Sequence, residues 1–331
     1  MSNPWQNKRV LVTGAGGFIG SHLVEALLNE GAIVRAFIRY TSRGDIGLLN
    51  LLPREMLNDV EIIAGDLRDA QAIEQCVNNT EVVFHLGALI SIPYSYIHPD
   101  EVVQTNILGT LNILQACRAA GTERLICTST SEVYGTARYV PIDEDHPLQG
   151  QSPYSASKIG ADKLAESFYR TYNTPVVTVR PFNTFGPRQS ARAVIPTIIT
   201  QALFQDVVHL GNLEAIRDFT FVSDTVCGFL DAAAAPNAEG KTFNLGTGEE
   251  ITIGTLAHKI FKILGKQERI EIDGERLRPE RSEVMRLISD NSLAKHELGW
   301  KPQVSFEEGL RRTIQWISAH HELYNIGKYE F

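Results

Sequence analysis

The sequence predicts an α/β protein built on a doubly wound parallel sheet, and three observations carry that reading. Short β-branched runs such as Arg9–Thr13, Val82–Leu86 and Val176–Arg180 alternate with longer segments of helical periodicity. The runs are continuously apolar, as strands are when helices cover both faces of a parallel sheet. Gly14, Gly17 and Gly20 follow the first run and open the first helical segment, the punctuation of a tight strand–turn–helix.

The elements follow in order. Arg9–Thr13 is the first strand, and Gly20–Glu30 a helix with Leu23, Ala26 and Leu27 on one face. Ala32–Arg39, Val60–Ala64 and Val82–Leu86 are the second, third and fourth strands. A long helix covers Glu101–Ala120, and Arg124–Thr128 is the fifth strand. Ser152 at the N-cap and Pro153 at the first helical position open a helix reaching about residue 171. Val176–Arg180 is the sixth strand. Beyond residue 187 the rhythm loosens: Pro187, Pro196, Pro236, Pro279 and Pro302 interrupt shorter elements, and 271–286 is dense in charge. Residues 1–187 are expected to form the sheet domain, with returns to it near 217–248, at Phe219–Val222 and Thr242–Leu245. Residues 188–331 are expected to form mainly a smaller, interleaved lobe.

Composition excludes several classes. At 43% hydrophobic and 21% charged residues the chain is globular, and its net charge of −8 argues against a nucleic-acid partner. No apolar run reaches membrane-spanning length. The segment Met1–Arg9 is polar, so no secretory signal is expected. Cys76, Cys117, Cys127 and Cys227 stand singly in apolar segments and read as reduced core residues of a cytoplasmic protein. No His, Cys and carboxylate cluster has metal-ligand spacing. His22, His85 and His98 are isolated and read as core or capping residues.

The glycine turn carries the first chemical signal. In Thr13-Gly14-Ala-Gly-Gly17-Phe18-Ile19-Gly20 the glycines let the backbone approach a pyrophosphate, whose charge the helix N-terminus meets. The chain is therefore expected to bind a nicotinamide dinucleotide in a Rossmann-type fold, with Gly14, Gly17, Phe18, Ile19 and Gly20 at the turn. NAD sites commonly end the second strand with a carboxylate for the ribose 2′-hydroxyl. Here Arg39, Ser42 and Arg43 stand instead, which favours NADP over NAD. Asp66 is a candidate adenine contact, and Leu67, Leu86 and Ala88 complete the expected dinucleotide contacts.

The second signal is Tyr154-Ser-Ala-Ser-Lys158, a phenol and an ammonium four residues apart on one helical face. A free tyrosine, with a pKa of about 10, is a poor base at neutral pH, and a neighbouring cation favours its phenolate. Tyr154 is then expected to take the proton of a sugar hydroxyl while hydride leaves for the cofactor, and Thr130 to orient the same alcohol.

These motifs together resemble the extended short-chain dehydrogenase/reductases that act on nucleotide sugars. The likeness runs through TGAGGFIG at 13–20, HLGA at 85–88, TN at 105–106 and STSEVYG at 129–135. It continues through SPYSASK at 152–158, RPFNTFGPR at 180–188 and RDFTFVSD at 217–224. HLGA departs slightly from the usual HLAA. Thr130-Ser131-Glu132 is similar to the corresponding set of nucleotide-sugar 4,6-dehydratases. In that reading Glu132 removes the proton on carbon 5 once carbon 4 is a ketone. Ser131, or a water it holds, helps to protonate the departing carbon 6 hydroxyl, and hydride returns to carbon 6. The product is a 4-keto-6-deoxy sugar. Four alternatives stay open: a 4-epimerase, a 5,6-ene-forming dehydratase, a UDP-glucuronic acid decarboxylase, and a non-enzymatic NADP-binding regulator.

The resemblance also implies a nucleotide-sugar partner. Asn183, Arg217 and Arg278 match family positions that contact the diphosphate, a role arginine suits through its paired donors. Ser91 and Val194 are assigned to the same substrate. The run Phe185–Pro196 resembles a subgroup acting on nucleotide-linked N-acetylglucosamine in pathways to nonulosonic acids such as legionaminic acid, with UDP and GDP both open. Helices 101–120 and 153–171 resemble those that form a four-helix homodimer interface in the family.

Overall fold

In the computed structural model, which describes residues 3–325, the apolar runs pair into one parallel sheet. Its first six strands are β1 (Arg9–Thr13), β2 (Ile33–Arg39), β3 (Val60–Gly65), β4 (Val82–His85), β5 (Arg124–Thr128) and β6 (Val176–Pro181). Shorter strands follow: β7 (Thr184–Phe185), β8 (Val208–Leu210), β9 (Ile216–Arg217), β10 (Thr220–Phe221), β11 (Thr242–Leu245), β12 (Ile251–Thr252) and β13 (Ile270–Ile272). The large sheet has the order β11-β6-β5-β4-β1-β2-β3, every pair parallel. The winding reverses between β1 and β4, so a crevice opens at their carboxyl ends. Residues 1–2 and 326–331 of the two expected domains lie outside the described residues.

The expected return at Thr242–Leu245 is there as β11, beside β6. The one expected at Phe219–Val222 does not join the large sheet. β10 instead pairs with β7 in a separate ladder, and a helix begins at Val222. The reason is packing. Phe185 of β7 meets Phe219 and Phe221 edge-on at 6.1 and 5.6 Å, an arrangement aromatic rings favour.

Helices α1 (Phe18–Asn29), α2 (Arg54–Asn58), α3 (Ala70–Val77), α4 (Ile92–Ile97), α5 (Pro99–Val103), α6 (Gly109–Ala120) and α7 (Pro153–Tyr172) belong to the first half of the chain. They are followed by α8 (Val194–Phe204), α9 (Val222–Ala234), α10 (Ile253–Leu264) and α11 (Phe306–Ala319). One face of the sheet is covered by α3, α6 and α7 through Ile73, Ile113, Leu114 and Phe168. The other buries Leu23, Leu27, Phe229 and Ile260 in a core continuous with the later elements. Each fully buried side chain of this size contributes roughly 1.5–3 kcal/mol.

The helix expected over 101–120 begins at Pro99 and carries a π-turn at Gln104–Leu108 between α5 and α6. At that turn Asn106 donates to the Leu89 carbonyl at 2.9 Å and accepts from its amide at 2.8 Å. This pins the bulge to the loop after β4. The serine cap and Pro153 open α7 as expected, in a reciprocal Ser152–Ser155 capping box. Cys76, Cys117 and Cys127 are buried, but Cys227 is exposed. It sits on the solvent side of α9, where single-residue periodicity does not separate it from its buried neighbours Val226 and Gly228. No helix among the described residues is long and apolar enough to cross a membrane.

Candidate active site

The turn after β1 is shaped for close backbone approach. Gly14 has φ +68°, and a Cβ there would sit 2.8 Å from the Gly87 amide nitrogen. A Cβ on Gly20 would lie 2.2 Å from the Gly14 carbonyl oxygen, so neither position tolerates a side chain without movement. α1 starts immediately after Gly17, with no side chain capping its first amides. Those amides and the helix dipole are free to meet an anion. A pyrophosphate therefore fits this cradle.

Beside it, Gly14, Arg39, Asp66, Leu67 and Ala88 line a narrow cavity of about 130 Å³ with Phe37, Arg68, Gly87, Leu89 and Thr105. Most of the expected adenosine-side residues thus converge. Ser42 and Arg43 do not: both are exposed in the turn after β2 and stand outside this lining. Arg39 is not a free cation either, because its Nη2 lies 3.1 Å from Glu101 Oε1. Asp66 is clasped by Arg68, whose Nη2 and Nε donate to its two oxygens at 2.6 and 2.9 Å. That side-chain bond is the main reason the Asp66 carboxyl is held below its ordinary range.

The second group forms where β5 meets α7. Thr130 follows β5 and caps the short turn Ser131–Tyr134, accepting from the Glu132 amide at 3.2 Å. Thr130 also lies close enough to the Tyr154 phenol to favour its ionised form. Lys158, one turn along α7 from Tyr154, donates its Nζ to the Thr128 carbonyl at 2.6 Å. Burial pushes the Tyr154 phenol up, and Thr130 only partly opposes this. Burial likewise lowers the Lys158 ammonium, against the nearby Asp162 carboxylate. Desolvation is thus the dominant influence on this phenol.

Behind these residues a buried network fixes their frame. Asp162 accepts from Ser129 Oγ at 2.8 Å and from Arg180 at 3.0 and 3.2 Å. Arg180 donates on to the Tyr134 hydroxyl at 2.8 Å. A small apolar cluster of Val133, Tyr134, Ile142, Phe182, Val284 and Leu287 seats the Glu132 turn against the strand end and the 284–287 segment.

Glu132 faces a cavity of about 570 Å³ that it shares with Asn183, Val194, Arg217 and Arg278. The structure thus gathers four of the five expected substrate residues. The exception is Ser91, whose Oγ accepts from the Tyr94 amide as the N-cap of α4. Ser131 is buried and absent from the cavity lining. Arg278 Nη1 stands 3.8 Å from Glu132 Oε1 and, although buried, makes no hydrogen bond. Arg217 Nη2 lies 3.5 Å from Glu283. Burial lowers the Arg217 guanidinium, and Glu132 is the first charge to oppose it. Arg217 and Arg278 thus face Glu132 and Glu283, and Arg192, Glu275 and Arg276 also line the cavity.

Sequence reasoning missed Glu283, Glu101 and Asp218. The dense charge of 271–286 hinted at Glu283. Asp218, beside Arg217, is fully buried and takes four hydrogen bonds, from Thr247 N and Oγ1 at 2.9 and 2.6 Å, Gly248 N at 2.9 Å and Ser289 N at 3.1 Å. It ties the Arg217 strand to two distant loops. Burial raises its carboxyl while those donors hold it down. No group of three or more potential metal ligands occurs among the described residues.

With the site in view, comparison with known proteins is informative. A family model described as GDP-mannose 4,6 dehydratase matches residues 11–313. The chain is 33% identical to a UDP-glucose 4-epimerase of Mycolicibacterium smegmatis, across 93% of this chain and 98% of the relative. It is equally 33% identical to a dTDP-glucose 4,6-dehydratase of Actinoplanes sp., across 94% and 98%. Among solved structures it is similar to DesIV, a dTDP-glucose 4,6-dehydratase from Streptomyces venezuelae with NAD bound, at TM-score 0.84 and 30% identity, covering 96% of this chain and 99% of that one.

Proposed function

The chain belongs to the GDP-mannose 4,6-dehydratase family of extended short-chain dehydrogenase/reductases, and from that premise we propose that it is a 4,6-dehydratase of a nucleotide-linked N-acetylhexosamine. The observation that carries the reading is Glu132, a carboxylate facing the substrate cavity from the turn that Thr130 caps beside Tyr154. A 4-epimerase removes and returns hydride at one carbon and has no use for a carboxylate there.

The bound dinucleotide supplies a nicotinamide that accepts hydride and gives it back, and the cradle of Gly14, Gly17 and Gly20 would hold its pyrophosphate. NAD is proposed in place of the NADP suggested by Arg39, because Glu101 already engages that guanidinium and NAD occupies the DesIV relative. Thr130 and Tyr154 hold the carbon 4 hydroxyl, and Tyr154 takes its proton. Lys158, buried one helical turn from Tyr154, adds positive charge that favours the phenolate. Carbon 5 then becomes acidic and Glu132 removes its proton. Glu132, protonated by that step, stands ready to hand the proton to the departing hydroxyl, a role for which Ser131 is too deeply buried. Carbon 6 then takes back the hydride and carbon 5 a proton from solvent, matching the proton that Tyr154 releases. Asn183, Arg217 and Arg278 take the diphosphate. A diphosphate that replaces Glu132 as the partner of Arg278 leaves the carboxylate free to act as base. Well-placed acid–base groups of this kind contribute on the order of a hundred- to ten-thousand-fold.

The test supplies UDP- and GDP-N-acetylglucosamine with NAD in deuterated water. Loss of one water and one solvent deuteron at carbon 5 are expected. Turnover without loss of water indicates an epimerase, a reading that the equal similarity to one keeps in play. A homodimer through the 99–120 and 153–172 helices is also proposed. The exposed Val103, Leu108 and Tyr172 on those helices support it, and sedimentation at micromolar concentration tests it.

A further inference from the structure

The cations at the adenosine end of the dinucleotide cavity are both claimed by carboxylates, and one of those carboxylates arrives from outside the Rossmann strands. Arg39 ends β2 and Arg68 follows β3, and both line the cavity. Arg68 is held by Asp66, its neighbour in the chain. Arg39 is held by Glu101 of α5. Glu101 is the fixed member of that pair: its side chain is 26% exposed against 65% for Arg39. The Tyr94 hydroxyl donates to its other oxygen. Tyr94 is itself steadied by ring contact with His98 at 4.6 Å. The Tyr94 bond, with Arg39 and Arg68 behind it, holds the Glu101 carboxyl below its ordinary range. It is therefore ionised at neutral pH. Thr105, one turn further along the same helical stretch, lines the cavity directly.

We infer that Glu101 sets the choice between NAD and NADP in this chain, by holding a fixed negative charge against Arg39, which lines the cavity. This rests on reading the cavity as the adenosine end of a dinucleotide site. It does not depend on which sugar reaction follows. The physical argument is a balance of charge. A 2′-phosphate adds close to two negative charges and needs an unengaged guanidinium. Here the guanidinium at the end of β2 already faces a carboxylate, so a phosphate must share Arg39 with Glu101 and remain beside that negative charge. A ribose 2′-hydroxyl makes neither demand. Arg39 alone would mark the site for NADP; Arg39 paired to an anchored Glu101 marks it for NAD.

The experiment titrates the full chain, without any sugar, against NAD and against NADP, and compares dissociation constants. The unmodified chain is expected to bind NAD more tightly. Glu101→Gln and Glu101→Ala, two ways of removing one charge, are each expected to shift the ratio toward NADP by about tenfold, the size of one unit charge acting over a few ångströms in a partly solvated site. Adding Arg39→Ala to either variant should abolish that gain. A shift below twofold in both single variants, or an unmodified chain that prefers NADP, overturns the inference. A chain that discriminates as stated yet performs no dehydration overturns the proposed reaction and leaves the role of Glu101 standing. Failure to bind either dinucleotide overturns both.

Discussion

Asp218 offers the sharpest test of how Arg217, the arginine proposed to hold the substrate, is kept in place. Its carboxylate accepts four hydrogen bonds from two loops, and Arg217 precedes it directly. Asp218→Asn keeps the shape but replaces one oxygen by an NH₂ group. In the better orientation that group faces Thr247, whose hydroxyl can turn to accept, so only the Thr247 amide is orphaned. One orphaned buried donor costs about 1–3 kcal/mol. Loss of the charge from the remaining bonds adds little, because burial already disfavours it. Asp218→Ala orphans the buried Ser289 amide as well and opens a cavity, for a total of about 3–5 kcal/mol. Urea unfolding followed by tryptophan fluorescence should show both losses as shifts of midpoint at constant slope. Because the hub orients Arg217, KM for the nucleotide sugar should rise in Asp218→Asn while the dissociation constant for the dinucleotide stays put. If both variants lose less than about 1 kcal/mol, or if dinucleotide affinity falls with KM unchanged, Asp218 is not what positions Arg217.

Three further outcomes are expected. Glu132→Gln should still permit oxidation at carbon 4, visible as a rise in nicotinamide absorbance. It should slow loss of water by a hundredfold or more, the usual order for a missing general base; equal loss of both steps would contradict the separate role of Glu132. His22, whose ring bonds the Pro187 carbonyl at 3.0 Å, is lowered by burial from 6.5 to about 4. It stays neutral in the fold while the unfolded chain takes up a proton, so stability is full above pH 6.5 and falls as pH drops toward 4. His22→Gln should lessen the pH dependence of unfolding free energy near pH 5 by about 1.4 kcal/mol per pH unit, one proton's worth, as read from urea midpoints across that range. Gly20→Ala should weaken dinucleotide binding by tenfold or more, since its Cβ must push the Gly14 carbonyl aside; unchanged affinity in a titration would show that the turn is not the cradle.

Much of this protein was readable from local spacing. Strand and helix order followed from apolar runs alternating with helical periods. The glycine turn and the Tyr154–Lys158 pair each lie within a single turn of chain, so their geometry is set by backbone rules that any neighbourhood obeys. Even the position of Thr130 at a strand end needs only the strand. Local spacing was therefore enough for the order of strands in the chain, the glycine turn after β1 and the Tyr154–Lys158 pair on α7.

Contacts between charges far apart in the chain emerge only in the folded molecule. Arg39 reads as an NADP residue until Glu101 is found beside it. Glu132 reads as an isolated base until Arg278 is found 3.8 Å away, with Arg217 paired to Glu283 in the same cavity. Ser91 and Ser131 carry the right chemistry for substrate, yet one is spent on a helix cap and the other is buried. The Phe219–Val222 return was lost to an aromatic cluster around Phe185. The reason is common to all of them. A side chain's charge, exposure and partners depend on what packs against it in space, and periodicity along one element carries no record of that.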